Sequence, residues 1–160
     1  MTVLEMKVNA LVLIEVGSAE EQETGREMLR MLRDGLYPAA TLEDTVDELL
    51  GELGIEGSWQ YVRILRTALI RAHQRPELAD CASQGVYKVV GEIYGVSTKE
   101  VGRSISRCIE TAYRQGDPDK LNAFFRHQVS SVTGAPTPVN FLRRCLRELE
   151  QRMQIVAGVR

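Results

Sequence analysis

A short helix, a glycine turn and a second helix with two opposed faces occupy residues 86–116, and few folds accommodate that order. The first piece, VYKVVGEIYG, ends at Gly95; the turn is Gly95-Val96-Ser97; the second piece, STKEVGRSISRCIETAYRQG, runs from Ser97 to Gly116. At about 100° per residue, Val101, Ile105, Cys108, Ile109 and Ala112 share one face of that helix. Lys99, Arg103, Arg107 and Arg114 fall within about 80° of one another, nearly opposite. The start carries a capping-box pattern, in which Ser97 accepts from the N–H of Glu100 and Glu100 reaches back. Gly116 reads as a left-handed stop. One side must be buried, which requires a helical core, and the other presents cations.

A helix, a tight glycine turn and a second helix with a basic outer face make the helix-turn-helix arrangement, whose second helix enters the DNA major groove. On spacing alone the same stripe fits a solvated face of an all-α bundle equally well.

Charge is divided unevenly along the chain. Of 160 residues, Met1 to Gly57 hold thirteen acids and four bases, a net of −9, whereas Ser58 to Arg160 hold nine acids and sixteen bases, a net of +7. A basic domain behind an acidic leader fits a module that binds a polyanion. Arginine, which supplies most of the basic charge, is the better bidentate ligand for guanine and phosphate. Cys81, Cys108 and Cys145 form no C-x-x-C pair, and an odd number of thiols without a signal sequence implies a reducing cytoplasm. The apolar run Ala10 to Ile14 is too short and too acid-flanked for a secretory or membrane-spanning segment.

Thr2 to Val16 alternates in steps of two, with Leu4, Met6, Val8, Ala10, Val12, Ile14 and Val16 on one face, which reads as one strand. Nothing later in the chain reads as β with comparable strength. A lone strand leaves its backbone groups unpaired, so the expectation is pairing with a copy in a second subunit, a homodimer. Glu20 to Asp34 reads as an acidic helix, and Leu36 to Ala40, with Pro38, as a linker. Thr41 caps a helix with Leu42, Val46, Leu49, Leu50 and Leu53 as its apolar stripe, ended by Gly54. Ser58 begins the next, with Trp59, Val62, Leu65 and Leu69 inward; Arg63, Arg66 and Arg71 lie off that face, solvated or within reach of phosphate. Asp117-Pro118 opens a helix that packs Leu121, Phe124 and Phe125. After a loop over 130–136, Thr137-Pro138 opens the last one. It turns Phe141, Leu142, Cys145, Leu146 and Leu149 inward and Arg143, Arg144, Arg147 and Arg152 outward. The expected architecture is all-α: a helix-turn-helix bundle of about six helices over 41–155, with a strand–helix appendage over 1–40.

His73 and His127 are isolated and have no Cys, His or Asp at metal-ligand spacing, so neither a metal nor a cofactor is expected. G-x-S-x-G, Walker A and G-x-G-x-x-G sequences are absent. An enzyme reading has no constellation to stand on.

With these residues in place, the chain from about Leu42 to Glu150 resembles the C-terminal effector domain of the sporulation initiation, or stage-zero, response regulator family. Three blocks carry the resemblance in order: LEDTVDELLGELGI, VGRSISRCIETAYRQG and VSSVTGAPTPVNF. It implies an all-helical domain that binds double-stranded DNA through a helix-turn-helix and contacts RNA polymerase through its sigma subunit. By position, Arg103 matches an arginine the family uses for base contact. The chain departs from the family pattern where Gly102 replaces a common Glu, Ser106 an Arg and Arg107 a His, which implies an altered site preference. The first forty residues are too few for the family's phosphoacceptor receiver domain.

The expected base-contact residues are Arg103 and Arg107, with Lys99, Glu100 and Ser106 reading or tuning neighbouring positions. Ser97, Thr98, Arg114 and Thr137 are expected at phosphates, the first of these helped by the helix N-terminus. The alternative is a helical protein-interaction module, an antagonist of a related regulator, with DNA contact weakened at Gly102 and Ser106.

Overall fold

The computed structural model describes residues 2–7, 11–33, 41–126, 129 and 131–156. The linker expected over 36–40 and His127 lie outside them. The chain divides into two compact units, residues 42–150 and residues 1–41 with 151–160.

In the N-terminal unit, strands β1 (Thr2–Lys7) and β2 (Leu11–Val16) form an antiparallel pair, in register from Thr2↔Val16 to Lys7↔Leu11. The expectation of one long strand completed by a second copy is therefore corrected, since each half finds its partner in the same chain. Alternation cannot distinguish the two arrangements. The register pairs residues of equal parity, so the period of two runs through a hairpin as smoothly as through one strand. Helix α1 (Ala19–Arg33) follows and lies against both strands. A complete capping box opens it: the Ser18 hydroxyl accepts from Glu21 N at 3.1 Å, and Glu21 Oε2 accepts from Gly17 N at 2.8 Å and Ser18 N at 2.9 Å.

The second unit is an all-α bundle. Its helices are α2 (Leu42–Glu52), α3 (Gln60–Gln74), α4 (Val86–Tyr94), α5 (Thr98–Gln115), α6 (Pro118–Phe125) and residues 138–150 of α7 (Pro138–Val156), with a short 3-10 turn at Pro76–Ala79. Each helix gives its apolar stripe to one core. Val46 and Leu49 from α2, Ile64, Leu65 and Leu69 from α3 and Val86 and Val90 from α4 are almost fully buried. So are Ile105 from α5, Leu121 and Phe125 from α6 and Phe141 and Leu149 from α7. Phe125 stacks on Phe141 with centroids 5.1 Å apart, closing α6 onto α7. Asp117 caps α6 as its sequence suggests, its Oδ1 accepting from Asp119 N at 3.0 Å.

Three details depart from the sequence reading. Trp59 is 68 % exposed, because α3 begins after it: Trp59 is the N-cap residue, in an extended conformation, and lies off the helical repeat. Gly116 is extended, with φ −82° and ψ −179°, and not left-handed. What Gly116 supplies is space, since a Cβ there would stand 2.5 Å from Ala112 O and 3.1 Å from Leu53 O. Arg144, expected outward, is half-buried against α6: its Nε donates to Phe124 O at 2.9 Å, and its guanidinium lies 4.0 Å from the centroid of the Phe124 ring.

Candidate nucleic-acid interface

Helices α4 and α5 are held on α3 by hydrogen bonds that the core alone does not require. The Tyr94 hydroxyl at the end of α4 donates to Arg63 O at 3.1 Å. Its single proton is then committed, so the Thr67 hydroxyl, 2.8 Å away, donates to it. On α5 the Cys108 thiol donates to Tyr61 O at 3.3 Å. Burial pushes that thiol up to about 12, so it remains a neutral donor.

Two glycines make the turn between α4 and α5. Gly95 takes φ 66° and ψ 34°, the left-handed conformation that lets the chain leave α4 sharply. Val96 N then donates back to Gly91 O at 2.9 Å. The turn settles so closely on Gly91 that a Cβ there would meet Val96 O at 2.6 Å. Beyond it the Ser97 hydroxyl accepts from Glu100 N at 3.1 Å and starts α5. The Glu100 carboxylate turns along the helix to Arg103, at 3.7 Å, instead of back to Ser97.

The inner face of α5 behaves as its spacing predicts, with Val101, Ile105, Cys108, Ile109 and Ala112 all buried. On the outer face Lys99, Arg103, Arg107 and Arg114 are exposed. Arg103 and Glu100 form a loose pair, their side chains 65 % and 49 % exposed, and such a pair restrains a guanidinium little. Arg107 lies over the ring of Tyr61, its guanidinium carbon 4.6 Å from the ring centroid. Thr111 Oγ1 donates to Arg107 O at 2.8 Å.

An open groove of about 560 Å³ runs along this surface, lined by Arg103, Ser106, Arg107 and Glu110 of α5, Tyr87 of α4 and Pro138 and Val139 at the start of α7, with Gly102 between. The structure therefore brings Arg103, Ser106 and Arg107 together. Lys99, Glu100 and Arg114 flank them on α5 without lining the groove, and Ser97 and Thr98 stand at the N-terminal end of α5. Thr137 is the residue before α7, and its Oγ1 accepts from Asn140 N at 3.3 Å.

Sequence reasoning missed Tyr87 and Glu110. Glu110 puts an acid among the cations, and its helical position, 20° from the centre of the basic stripe at about 100° per residue, was available as a signal. Tyr87 belongs to the preceding helix, and its approach to Gly102 has no signature in spacing. Its ring is 3.4 Å from where a Cβ on Gly102 would stand. Its hydroxyl is buried without a hydrogen-bond partner, and burial raises its pKa.

Among the described residues no group of three His, Cys, Asp or Glu could hold a metal ion, and no helix is long and apolar enough to cross a membrane.

A left-handed glycine turn between two helices, a buried inner face and a cationic outer face on the second define a helix-turn-helix domain. A family model, described as sporulation initiation factor Spo0A C terminal, matches residues 46–149. The chain belongs to that family. It is a family of DNA-binding regulatory domains and not a catalytic one, which makes residues 46–149 a DNA-binding regulatory domain of the sporulation-regulator type.

Proposed function

We propose that this chain is a sequence-specific transcriptional regulator that lays α5 in the major groove, with Arg103 and Arg107 reading base edges. What supports the reading is that one face of α5 is wholly buried while Arg103, Ser106 and Arg107 line one open groove on the other. A guanidinium fork matches O6 and N7 of guanine, and each such contact discriminates by about 1–3 kcal/mol. Lys99, Glu100 and Ser106 tune adjacent positions. Ser97, Thr98, Arg114 and Thr137 lie toward the ends of the same surface and serve the sugar–phosphate strands, which fix register without carrying sequence. By family membership the RNA polymerase sigma subunit is the protein partner; a second copy of the chain is the other.

The test is selection of bound sequences from a random duplex pool, followed by anisotropy titrations across salt. With about six phosphate contacts, affinity should fall about 10³-fold between 50 and 200 mM salt. Arg103→Ala should flatten the preference at one position by at least about fivefold, the low end of the range for a lost bidentate contact. Arg114→Ala should weaken all duplexes alike and reduce the salt slope by about one. A flat salt response with no enriched sequence would overturn the reading. It would favour the helical protein-interaction module, which Glu110 in the groove supports by making that surface mixed in charge.

A further inference from the structure

The two arginines proposed to read bases are engaged by their own protein in different ways, and the difference identifies a residue outside α5. A guanidinium has an edge, where its N–H donors lie, and two flat faces, which donate nothing. Glu100 approaches Arg103 at NH1, on the edge, and so competes for donors that a guanine would need. Among the described residues no carboxylate pairs with Arg107; its guanidinium carbon stands over the Tyr61 ring, 4.6 Å from the centroid, in a cation–π contact. The backbone of Tyr61 is itself held by α5. The residue after Arg107, Cys108, donates its thiol proton to the carbonyl of Tyr61 at 3.3 Å, so two consecutive residues of α5 grip one residue of α3. The backbone of Arg107 is fixed as well, its carbonyl accepting from Thr111 at 2.8 Å.

From this geometry we infer that Tyr61, at the start of α3, is a positioning residue for DNA recognition: its ring holds the Arg107 guanidinium by a cation–π contact and presents it to the duplex. The inference rests on the proposed reading of α5. A free arginine side chain must give up several rotors to make a bidentate contact, and the contact with the ring restricts them beforehand without a carboxylate drawing on the donors. Tyr61 itself need not touch DNA. Sequence spacing cannot reveal the arrangement, because Tyr61 and Arg107 lie on different helices.

The experiment uses the full chain, a duplex taken from the pool selection and single-base variants of that duplex. Tyr61→Leu removes the ring and keeps an apolar body; Tyr61→Phe keeps the ring. A stacked cation at a partly exposed site corresponds to about a three- to fivefold loss of affinity. Tyr61→Leu should show that loss, concentrated at the base pair where Arg107→Ala flattens the preference, and Tyr61→Phe should bind within about twofold of wild type. In an Arg107→Ala background, Tyr61→Leu should have no further effect, which separates positioning from any general loosening of the fold, because loosening would act in both backgrounds. Equal binding by Tyr61→Leu and wild type, or the same loss in both backgrounds, would overturn the proposal while leaving DNA recognition by α5 intact. Failure of the wild-type chain to select any duplex would overturn both.

Discussion

Replacing Gly54, Gly95 and Gly116 by alanine, one at a time, separates two reasons for a glycine that are usually confounded. Gly95 has φ 66° and nothing within 4 Å of a would-be Cβ, so only conformation resists the substitution. A left-handed alanine costs about 1–2 kcal/mol, offset by the smaller freedom of the unfolded chain, which leaves a net cost near 1 kcal/mol. Gly116, at φ −82°, carries no such strain, and on backbone grounds alone alanine should stabilise by about 0.4–1 kcal/mol. Its Cβ would however stand 2.5 Å from Ala112 O and 3.1 Å from Leu53 O. Neither is the movable end of a side chain. At 2.5 Å the cost of forcing backbone apart lies near the top of the range of about 1–3 kcal/mol for overpacking, so the sign reverses and the net loss is about 2 kcal/mol. Gly54 combines both terms: φ is 78°, and its Cβ would lie 2.9 Å from Gly116 Cα. About 3 kcal/mol follows from adding strain to overpacking. In a domain of about 100 residues 1 kcal/mol moves Tm by about 4–8 °C, so thermal and urea unfolding resolve the expected order of Gly95→Ala, Gly116→Ala and Gly54→Ala. The double variant at 54 and 116 should cost less than the sum of the two, because one displacement of α2 from the end of α5 relieves both the Gly54 contact and the one at Leu53 O. Gly116→Ala as stable as wild type would refute the close approach of a Cβ there to Ala112 O and Leu53 O. Gly95→Ala as the most damaging would show that conformation, not contact, governs all three.

Two further predictions concern titration and reactivity. The N–H groups of Ser18 and Gly17 hold the Glu21 carboxyl below its ordinary range. A depressed folded-state pKa stabilises the start of α1 above the ordinary carboxylate pKa, and the effect is lost as pH falls through the lowered value. The protection of the Gly17 and Ser18 amides, taken against their intrinsic exchange at each pH, should therefore fall in that acid window, and Glu21→Gln should remove this pH dependence; unchanged protection across it would count against the cap. Burial pushes the Cys108 thiol to about 12 and raises that of Cys145 further, whereas Cys81 is exposed. A thiol reagent at pH 8 should label Cys81 alone in the native protein and all three cysteines after unfolding; native labelling at Cys108 would contradict its hydrogen bond to Tyr61.

The helical unit was legible because burial imposes periodicity. The stripe Val46, Leu49, Leu50 and Leu53 and the stripe Val101, Ile105, Cys108 and Ile109 are buried as their spacing requires. What escaped was information that periodicity does not contain. The alternation of residues 2–16 is the same for one strand and for a hairpin in equal-parity register, so it misses the reversal between β1 and β2. Trp59 was assigned inward by extending a helical repeat across a residue that precedes the helix. Ser18 and Glu21 had the same S-x-x-E signature as Ser97 and Glu100, and only the second was read from the sequence. The structure completes the box at the first, where Glu21 accepts both N–H groups, and sends Glu100 sideways to Arg103.

The outer face of α5 shows why a site is harder to read than a core. A buried position needs only to be apolar, and the helix to which it belongs fixes its direction. An outward arginine is defined by what neighbouring helices leave for it. Spacing puts Arg66 off the buried face of α3 and Arg144 on the outer side of α7. Arg66 forms a two-point ion pair with Asp47, at 2.6 and 3.1 Å, and Arg144 closes α7 onto α6. Both spend edge donors inside the protein, which removes them from competition for a nucleic acid. Arg107 has a partner too, yet that partner is the ring of Tyr61 and not a carboxylate or a carbonyl. The criterion for an arginine proposed to read DNA is therefore not exposure or the absence of a partner, but whether a carboxylate or carbonyl of the protein takes its N–H donors. By it Arg107 and, once Glu100 yields, Arg103 remain the arginines of the proposed reading, and Arg66 and Arg144 belong to the scaffold.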